Sequence, residues 1–590
     1  SIERFPDRRL FGTRKKHGWH YVSYREFGDM VAAARAGLAK LGIVPGQRVA
    51  VISDNRLEWA VGSFATFSLG AIYVPMYQAQ LDRDYEHILK DSGAKLCFCA
   101  NETIAARVRA LAPALPELEH IIHFDSPEYA GLLESGRTAP TPSVMPQDKD
   151  VAIYIYTSGT TGEPKGVELT HYNLGATASA IIEISPLTED GECSLAFLPW
   201  AHVFGGCIEV AVLIGYGGAI AICDSTDRLL DYLAEVKPTA LFAVPRIWNR
   251  IYDGVVKQID ARPKPIQTLL RTGLRARGLA AKGKPINLLE RVAMLATNKL
   301  LVAKIEARLG GRVRFAVSGA AALSAEVAEF IDNLGIVVLE GYGLTETTGG
   351  ATASKPNERR LGAVGKPLPG YEIRLERGIA GAGPDEGEII IHGSGVMRGY
   401  HNQPGATEQA FTSDGGFRTG DIGRFDSDGF LYITGRVKEL YKLSNGKYIA
   451  PVALEEKLQL SPFIAQCCVY GTDKPHNTAV IIPDLAALQT WATANGVAPA
   501  NSNGVDAHAQ AEALLREPRV RALIRKELDQ HSRDFKGYEQ IRDFVLDDEL
   551  FTTQNDMLTP SLKLKRRNVI AKYGPRLDAL YVRAPLAAEA

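Results

Sequence analysis

The amino-acid sequence predicts an α/β protein: a large N-terminal domain of two α/β layers with a β-rich subdomain, followed by a small α+β C-terminal domain. Three observations carry this. Helical and strand periodicities alternate through the first hundred residues, the pattern of a parallel sheet wrapped on both faces. The apolar run 151–156 leads directly into Thr157, Ser158, Gly159, Thr160, Thr161 and Gly162, with Lys165 close behind. Between residues 341 and 435 the texture changes to short alternating runs separated by Gly and Pro clusters.

Taken in order, residues 24–41 repeat apolar side chains at helical spacing, and Gly42, Pro45 and Gly46 end that helix before a buried strand at 48–52. Helix at 58–69, strand at 71–75, helix at 85–90 and strand at 95–100 follow. After the Gly-rich run, strands are expected at 194–198, 219–223, 240–244 and 313–317 as a second α/β layer. The greasiest stretch, 207–223, contains Glu209 and several glycines and is shorter than the ~20 residues of a spanning helix, so it reads as a buried hairpin or helix–strand unit. Past Arg436, strands near 465–470 and 479–482 and a long charged helix over 507–531 form a separate small domain. There is no internal repeat and no low-complexity tract.

Composition narrows the class. The 590 residues are 46% hydrophobic and 23% charged, with a formal net charge of −1, so nothing global draws the chain toward nucleic acid. Seven cysteines, mostly inside apolar runs and without C-x-x-C spacing, indicate neither a disulfide framework nor a zinc site, and a reducing, cytoplasmic setting is expected. His120 and His123 flank Ile121 and Ile122 in a strand-like run and read as core or surface histidines. Residues 1–9 lack the apolar core of a signal peptide.

The run from Thr157 to Lys165 is suited to phosphate. Glycines let backbone N–H groups face an anion, each hydroxyl adds a donor, and Lys165 supplies charge. It is not G-x-x-x-x-G-K-[ST], because Gly166 follows the lysine. Four further stretches place polar groups where α/β folds hold ligands or just beyond: Ser318 to Ala321; Glu340, Gly341, Tyr342, Gly343, Leu344, Thr345 and Glu346; Arg418 to Asp421; and Gly435 to Glu439. The second offers an aromatic face, a hydroxyl and a carboxylate fit for a hard cation.

In this order the motifs resemble the adenylate-forming superfamily, which includes AMP-producing acyl-CoA synthetases. Leu198 to Phe204, Arg398 to Pro404, Gly446 to Pro451 and Leu558 to Arg566 sharpen the likeness, the last two toward the long-chain fatty acyl-CoA synthetases. Trp200 and Gly205 depart from that branch, which usually has Leu and an acidic residue there, and this bears on the shape of the acyl tunnel. The resemblance implies an enzyme that joins a long-chain fatty acid to AMP from Mg-ATP, releasing pyrophosphate, and then transfers the acyl group to coenzyme A.

It also implies roles. Thr157, Ser158, Gly159, Thr160, Thr161 and Lys165 would bracket the β- and γ-phosphates. Thr345 would touch the α-phosphate, and Glu346, with Thr157, would hold Mg²⁺. Tyr342 would stack on adenine against Gly319, Ala320 and Ala321, beside Glu340, Gly341 and Gly343, with Asp421 and Arg436 on ribose. His202 and Lys563 join the catalytic set, Lys563 bridging substrate carboxylate and α-phosphate, with Lys565 its rival in the same basic run. Residues 1–436 would be the large domain, 437–441 a hinge pivoting at Lys438, and 442–590 a mobile small domain bringing Lys442, Gly446 and Lys447 to the site for thioester formation.

Two alternatives stay open: an acyl-AMP ligase that loads a carrier protein, and a non-catalytic lipid- or nucleotide-binding protein of the same fold. The basic segment 257–299, with apolar residues interleaved, reads either as a solvated helix pair or as a patch leaning on anionic lipid at the inner face of a membrane.

Overall fold

The computed structural model of the chain describes residues 1–157, 163–188, 191–497 and 507–582. Local signals set the first elements. Ser23 and Glu26 close a capping box at the head of the helix Tyr24–Lys40. Gly93, left-handed at φ 58°, ends the helix Asp82–Ser92 and turns the chain into the strand Ala94–Cys99.

These strands join a seven-stranded sheet. From one edge to the other it runs Gly399–Tyr400, Lys165–Thr170, Val151–Thr157, Ile72–Met76, Arg48–Ile52, Ala94–Cys99 and His120–His123. The five strands from Val151–Thr157 to His120–His123 are parallel, and the two at the other edge are antiparallel. A parallel sheet needs both faces covered, and the unbroken burial of Ile72–Met76 and of Val49 to Ile52 is the result.

The second set of strands is divided more finely than periodicity suggests. Ala240–Ala243, Phe315–Ser318 and Val337–Tyr342 lie parallel in one sheet, extended by Thr352–Ala353 and Lys366–Pro367. Cys193–Ala196 and Ala219–Ile222 belong instead to a four-stranded sheet with the N-terminal pair Arg9–Lys15 and Gly18–Ser23. Residues 207–223 form the expected helix–strand unit, and residues 371–436 supply another four-stranded sheet.

By contact density the chain forms two compact units. The first comprises Ser1–Arg374, Ile390–Thr419 and Phe425–Tyr432; the second comprises Leu375–Ile389, Gly420–Arg424 and Ile433–Ala590. In the second, the strands Ile464–Tyr470, Asn477–Pro483 and Ile541–Leu546 form a sheet around a core of Leu454, Ile481 and Ile524. The single helix expected over 507–531 is two, Ala507–Arg516 and Pro518–Ser532. Pro518 has no N–H to continue a helix and forces Glu517 into an extended conformation, φ −68° and ψ 122°. No described helix is long and apolar enough to cross a membrane, and no metal-ligand cluster occurs among the described residues.

Candidate active site

In the first unit the parallel strands of the five-stranded sheet end side by side, as α/β folds arrange their ligand crevices. A cavity of about 70 Å³ lies there. Gly319, Ala320, Gly341 and Tyr342 line it together with His202, Phe204, Ile208 and Val212. Ala320, also in the lining, holds φ 69°, a left-handed conformation uncommon for a residue other than glycine. A Cβ on Gly319 would stand 3.4 Å from the Phe204 ring and 3.7 Å from the Gly341 carbonyl, so the bare backbone keeps a flat slot open. Gly343 also lines the cavity, whereas Ala321 is exposed outside the lining. Glu340 is buried with its carboxylate accepting from the Gly362 N–H at 3.2 Å, and burial pushes it up to about 7.

Ser158, Gly159, Thr160 and Thr161 lie outside the described residues; their flanks do not. Thr157 and Lys165 are cross-strand partners in the antiparallel pair. The helix Asp82–Ser92 grips both flanks from residues one turn apart. His87 Nε2 lies 2.9 Å from the Pro164 carbonyl, and Asp91 accepts from the Tyr156 hydroxyl at 2.7 Å.

Thr345 and Glu346 sit on a short 3₁₀ turn just past the strand Val337–Tyr342, Thr345 buried and Glu346 half-buried. Glu346 is held by Tyr400, whose hydroxyl donates to Oε1 at 2.8 Å. Burial and the charge of Glu346 push this phenol well above its ordinary value, so it stays a donor. On the ring of the same tyrosine lies Lys165, its Nζ 5.0 Å from the centroid. One aromatic side chain thus touches both the lysine and the carboxylate.

Trp200 does not line the cavity. It is buried in the core, its ring 5.4 Å from that of Trp59 and 5.7 Å from that of Phe11. Gly205 has no room for a larger side chain, because a Cβ would lie 2.6 Å from the Pro199 carbonyl. Both glycines, 205 and 206, fall in a π-helical turn, Phe204–Glu209, the form in which a helix widens by one residue, frequently at functional sites. The turn ends on Glu209, fully buried, with neither carboxyl oxygen hydrogen-bonded among the described residues; burial pushes it up to about 8.

In the second unit Asp421 is buried and takes the Arg436 guanidinium at 2.6 Å. Lys438 is exposed on the 3₁₀ turn Val437–Glu439. Lys442 and Lys447 are exposed at the pairing of Tyr441–Lys442 with Tyr448–Ile449, turned by Gly446 at φ 86°. Lys563 is exposed on a tight turn, its N–H bonded to Thr559 Oγ1 and its carbonyl to the Thr559 N–H. Its rival Lys565 is engaged by Asp556 at 2.6 Å, and Arg566 makes two 2.7 Å bonds to Glu455.

The model of the AMP-binding enzyme family matches residues 1–401, and that of the AMP-binding enzyme C-terminal domain matches residues 439–521. This chain is an AMP-binding enzyme. Relatives of this AMP-binding enzyme include long-chain-fatty-acid–CoA ligase FadD15 of Mycobacterium bovis, 34% identical over 579 residues, which cover 95% of this chain and 92% of the relative. Another is the peroxisomal long chain acyl-CoA synthetase 6 of Arabidopsis thaliana, 31% identical over 98% of this chain and 85% of the relative. Among solved structures, the adenylation domain of a carboxylate reductase from Mycobacterium chelonae matches with a TM-score of 0.77 at 24% identity, covering 98% of this chain and 90% of that one. That likeness establishes the adenylate-forming fold, with its large N-terminal and small C-terminal domains.

Three residues at the site escaped sequence reasoning: Tyr400, His87 and Asp91. Tyr400 lies inside a stretch quoted for its resemblance, but nothing in the spacing ties it to Lys165 or Glu346, which are 235 and 54 positions away. His87 and Asp91 are four apart in a helical pattern, a spacing that any solvated helix face shares.

Proposed function

We propose that this AMP-binding enzyme activates a long-chain fatty acid with ATP and transfers the acyl group to coenzyme A. The observation that carries the reading is a single cavity with two characters. Its lining combines Gly319, Ala320 and Gly341, small residues suited to a flat base, with Phe204, Ile208 and Val212, apolar residues suited to a hydrocarbon chain. The fatty-acid ligases among the relatives, aligned over nearly the whole chain, support the same substrate class.

The fatty acid's carboxylate oxygen attacks the α-phosphorus of ATP, and the bond to the β-phosphate oxygen breaks, releasing pyrophosphate. The coenzyme A thiolate then attacks the acyl carbonyl, and AMP leaves with the oxygen that joined them. Neither step requires a protein nucleophile, so catalysis rests on positioning and charge. We assign Thr157, Ser158, Gly159, Thr160, Thr161 and Lys165 to the β- and γ-phosphates, Thr345 to the α-phosphate, Tyr342 to adenine, and Asp421 and Arg436 to ribose. Glu346 suits Mg²⁺, because it is a carboxylate whose Oε2 has no partner among the described residues and whose Oε1 is fixed by Tyr400. Magnesium bound there with ATP supplies neutralisation of phosphate charge. Lys563 stabilises charge that develops between the carboxylate and the α-phosphate.

Pyrophosphate release from ATP, with and without fatty acid, tests the first half; acyl-CoA formation tests the second. Adenylation should require the fatty acid, and Lys563→Ala should slow it by about 10²–10³-fold. Full adenylation in that variant would reassign the role. An acyl-adenylate that forms but is never passed to coenzyme A would point to a carrier protein as acceptor.

A further inference from the structure

Residues 245–308 form a run of helices with an inverted surface. The helix Leu288–Thr297 packs on the helix Lys264–Ala281 through its small residues, Ala293 and Thr297, both buried. Gly273 lies opposite, and a Cβ there would collide with Thr297 and with the Ala293 carbonyl. The large apolar residues face out. Leu288, Val292 and Leu295, spaced i, i+4 and i+7 on one stripe, are 75%, 55% and 61% exposed, with Leu289 at 81% and Leu300 at 50% beside them. Five of the fifteen exposed large apolar side chains among the described residues fall within residues 288–300, a contiguous face of the kind that marks an interaction site.

The charge around this face is one-sided. Residues 245–308 are rich in Lys and Arg, and their only acidic residues are Asp253, Asp260, Glu290 and Glu306. The last three are paired with Arg271, Arg275 and Arg277, so those arginines are already engaged. Lys284, Arg291 and Lys299 are exposed, flank the leucines, and have no ion-pair partner among the described residues.

We propose that the Leu288–Thr297 helix docks on an anionic lipid surface, its leucines in the acyl boundary and Lys284, Arg291 and Lys299 against the headgroups. A second copy of the chain fits less well. A twofold interface would set this one-signed patch against itself, opposing like charges around the leucines. Neither the surface nor its test depends on which acid the enzyme activates.

Sedimentation of the full chain with vesicles of equimolar phosphatidylglycerol and phosphatidylcholine, and with phosphatidylcholine alone, decides it. Binding is expected to the mixed vesicles, to weaken with salt, and to fall at least tenfold in two variants. One carries Leu288→Ser, Leu289→Ser, Val292→Ser and Leu295→Ser; the other carries Lys284→Glu, Arg291→Glu and Lys299→Glu and leaves every apolar contact intact. Absence of vesicle binding by the unaltered chain, or equal binding by the charge-reversed variant, overturns the proposal. So does a dimer in solution that the serine variant dissolves, because the leucines then cover one another.

Discussion

At the scale of single residues, Tyr400 is the side chain whose removal tells most. Tyr400→Phe keeps the ring under Lys165 and deletes only the hydrogen bond to Glu346, a bond to a charged acceptor of about 1.5–3 kcal/mol. Adenylation should slow by roughly 10–100-fold on that basis, with a raised Mg²⁺ requirement and an unchanged KM for the fatty acid. An unchanged magnesium titration would show that the hydroxyl does not position the carboxylate. Glu209 gives a second residue-scale expectation. Its folded value of about 8 exceeds the ordinary 4.5, so the stability it contributes is full below pH 4.5 and is lost as pH rises toward 8. Glu209→Gln should therefore flatten the decline between pH 5 and 8 and stabilise the protein by on the order of 2–4 kcal/mol at pH 8, read by urea unfolding across that range. Parallel curves for the two proteins would place the titration elsewhere. The sequence showed Glu209 inside an apolar run, but not that its oxygens go without hydrogen bonds, which depends on neighbours distant in the chain.

At the scale of elements, periodicity found the strands 48–52 and 151–156 nearly to the residue because both are buried on two faces and flanked by turn signals. It failed where a single residue overrides a pattern or where pairing is non-local. Pro518 splits one charged helical run, and the partners of Cys193–Ala196 lie near the N-terminus, in Arg9–Lys15 and Gly18–Ser23. The π-helical turn was equally invisible, and within it the backbones approach closely: a Cβ on Gly206 would stand 2.2 Å from the Trp200 carbonyl. Gly206→Ala should cost about 1–3 kcal/mol through overpacking, measured as a lower urea midpoint at constant m-value. A neutral substitution would mean that the turn relaxes freely.

At the scale of the whole molecule, two half-reactions share one set of nucleotide residues, and the proposed pivot lies at Lys438. A pivot absorbs its motion in a few φ/ψ angles, and proline would fix φ near −65°. Lys438→Pro should leave pyrophosphate release intact and lower acyl-CoA formation from supplied acyl-AMP by at least tenfold, a ratio worth about 1.4 kcal/mol. If both half-reactions suffer alike, the residue is only a solvent-exposed turn lysine. The motifs in the sequence named the family to which the chain belongs. What they could not give was the role of Tyr400, which depends on the edge strand Gly399–Tyr400 pairing with Lys165–Thr170 while Glu346 arrives from another sheet.

That edge tyrosine acts as an insulator. A lysine and a glutamate held by one tyrosine could close into an ion pair and cancel one another's field, yet no ion pair joins Lys165 to Glu346, and Tyr400 engages each of them separately: the cation by its ring, the anion by its hydroxyl. Both charges therefore stay uncancelled, and under the proposed assignment one would attract phosphate and the other a cation. A nucleotide arriving with its metal would bring the opposite charges as a matched set, so under that assignment the site would be completed by the pair together rather than by either one alone.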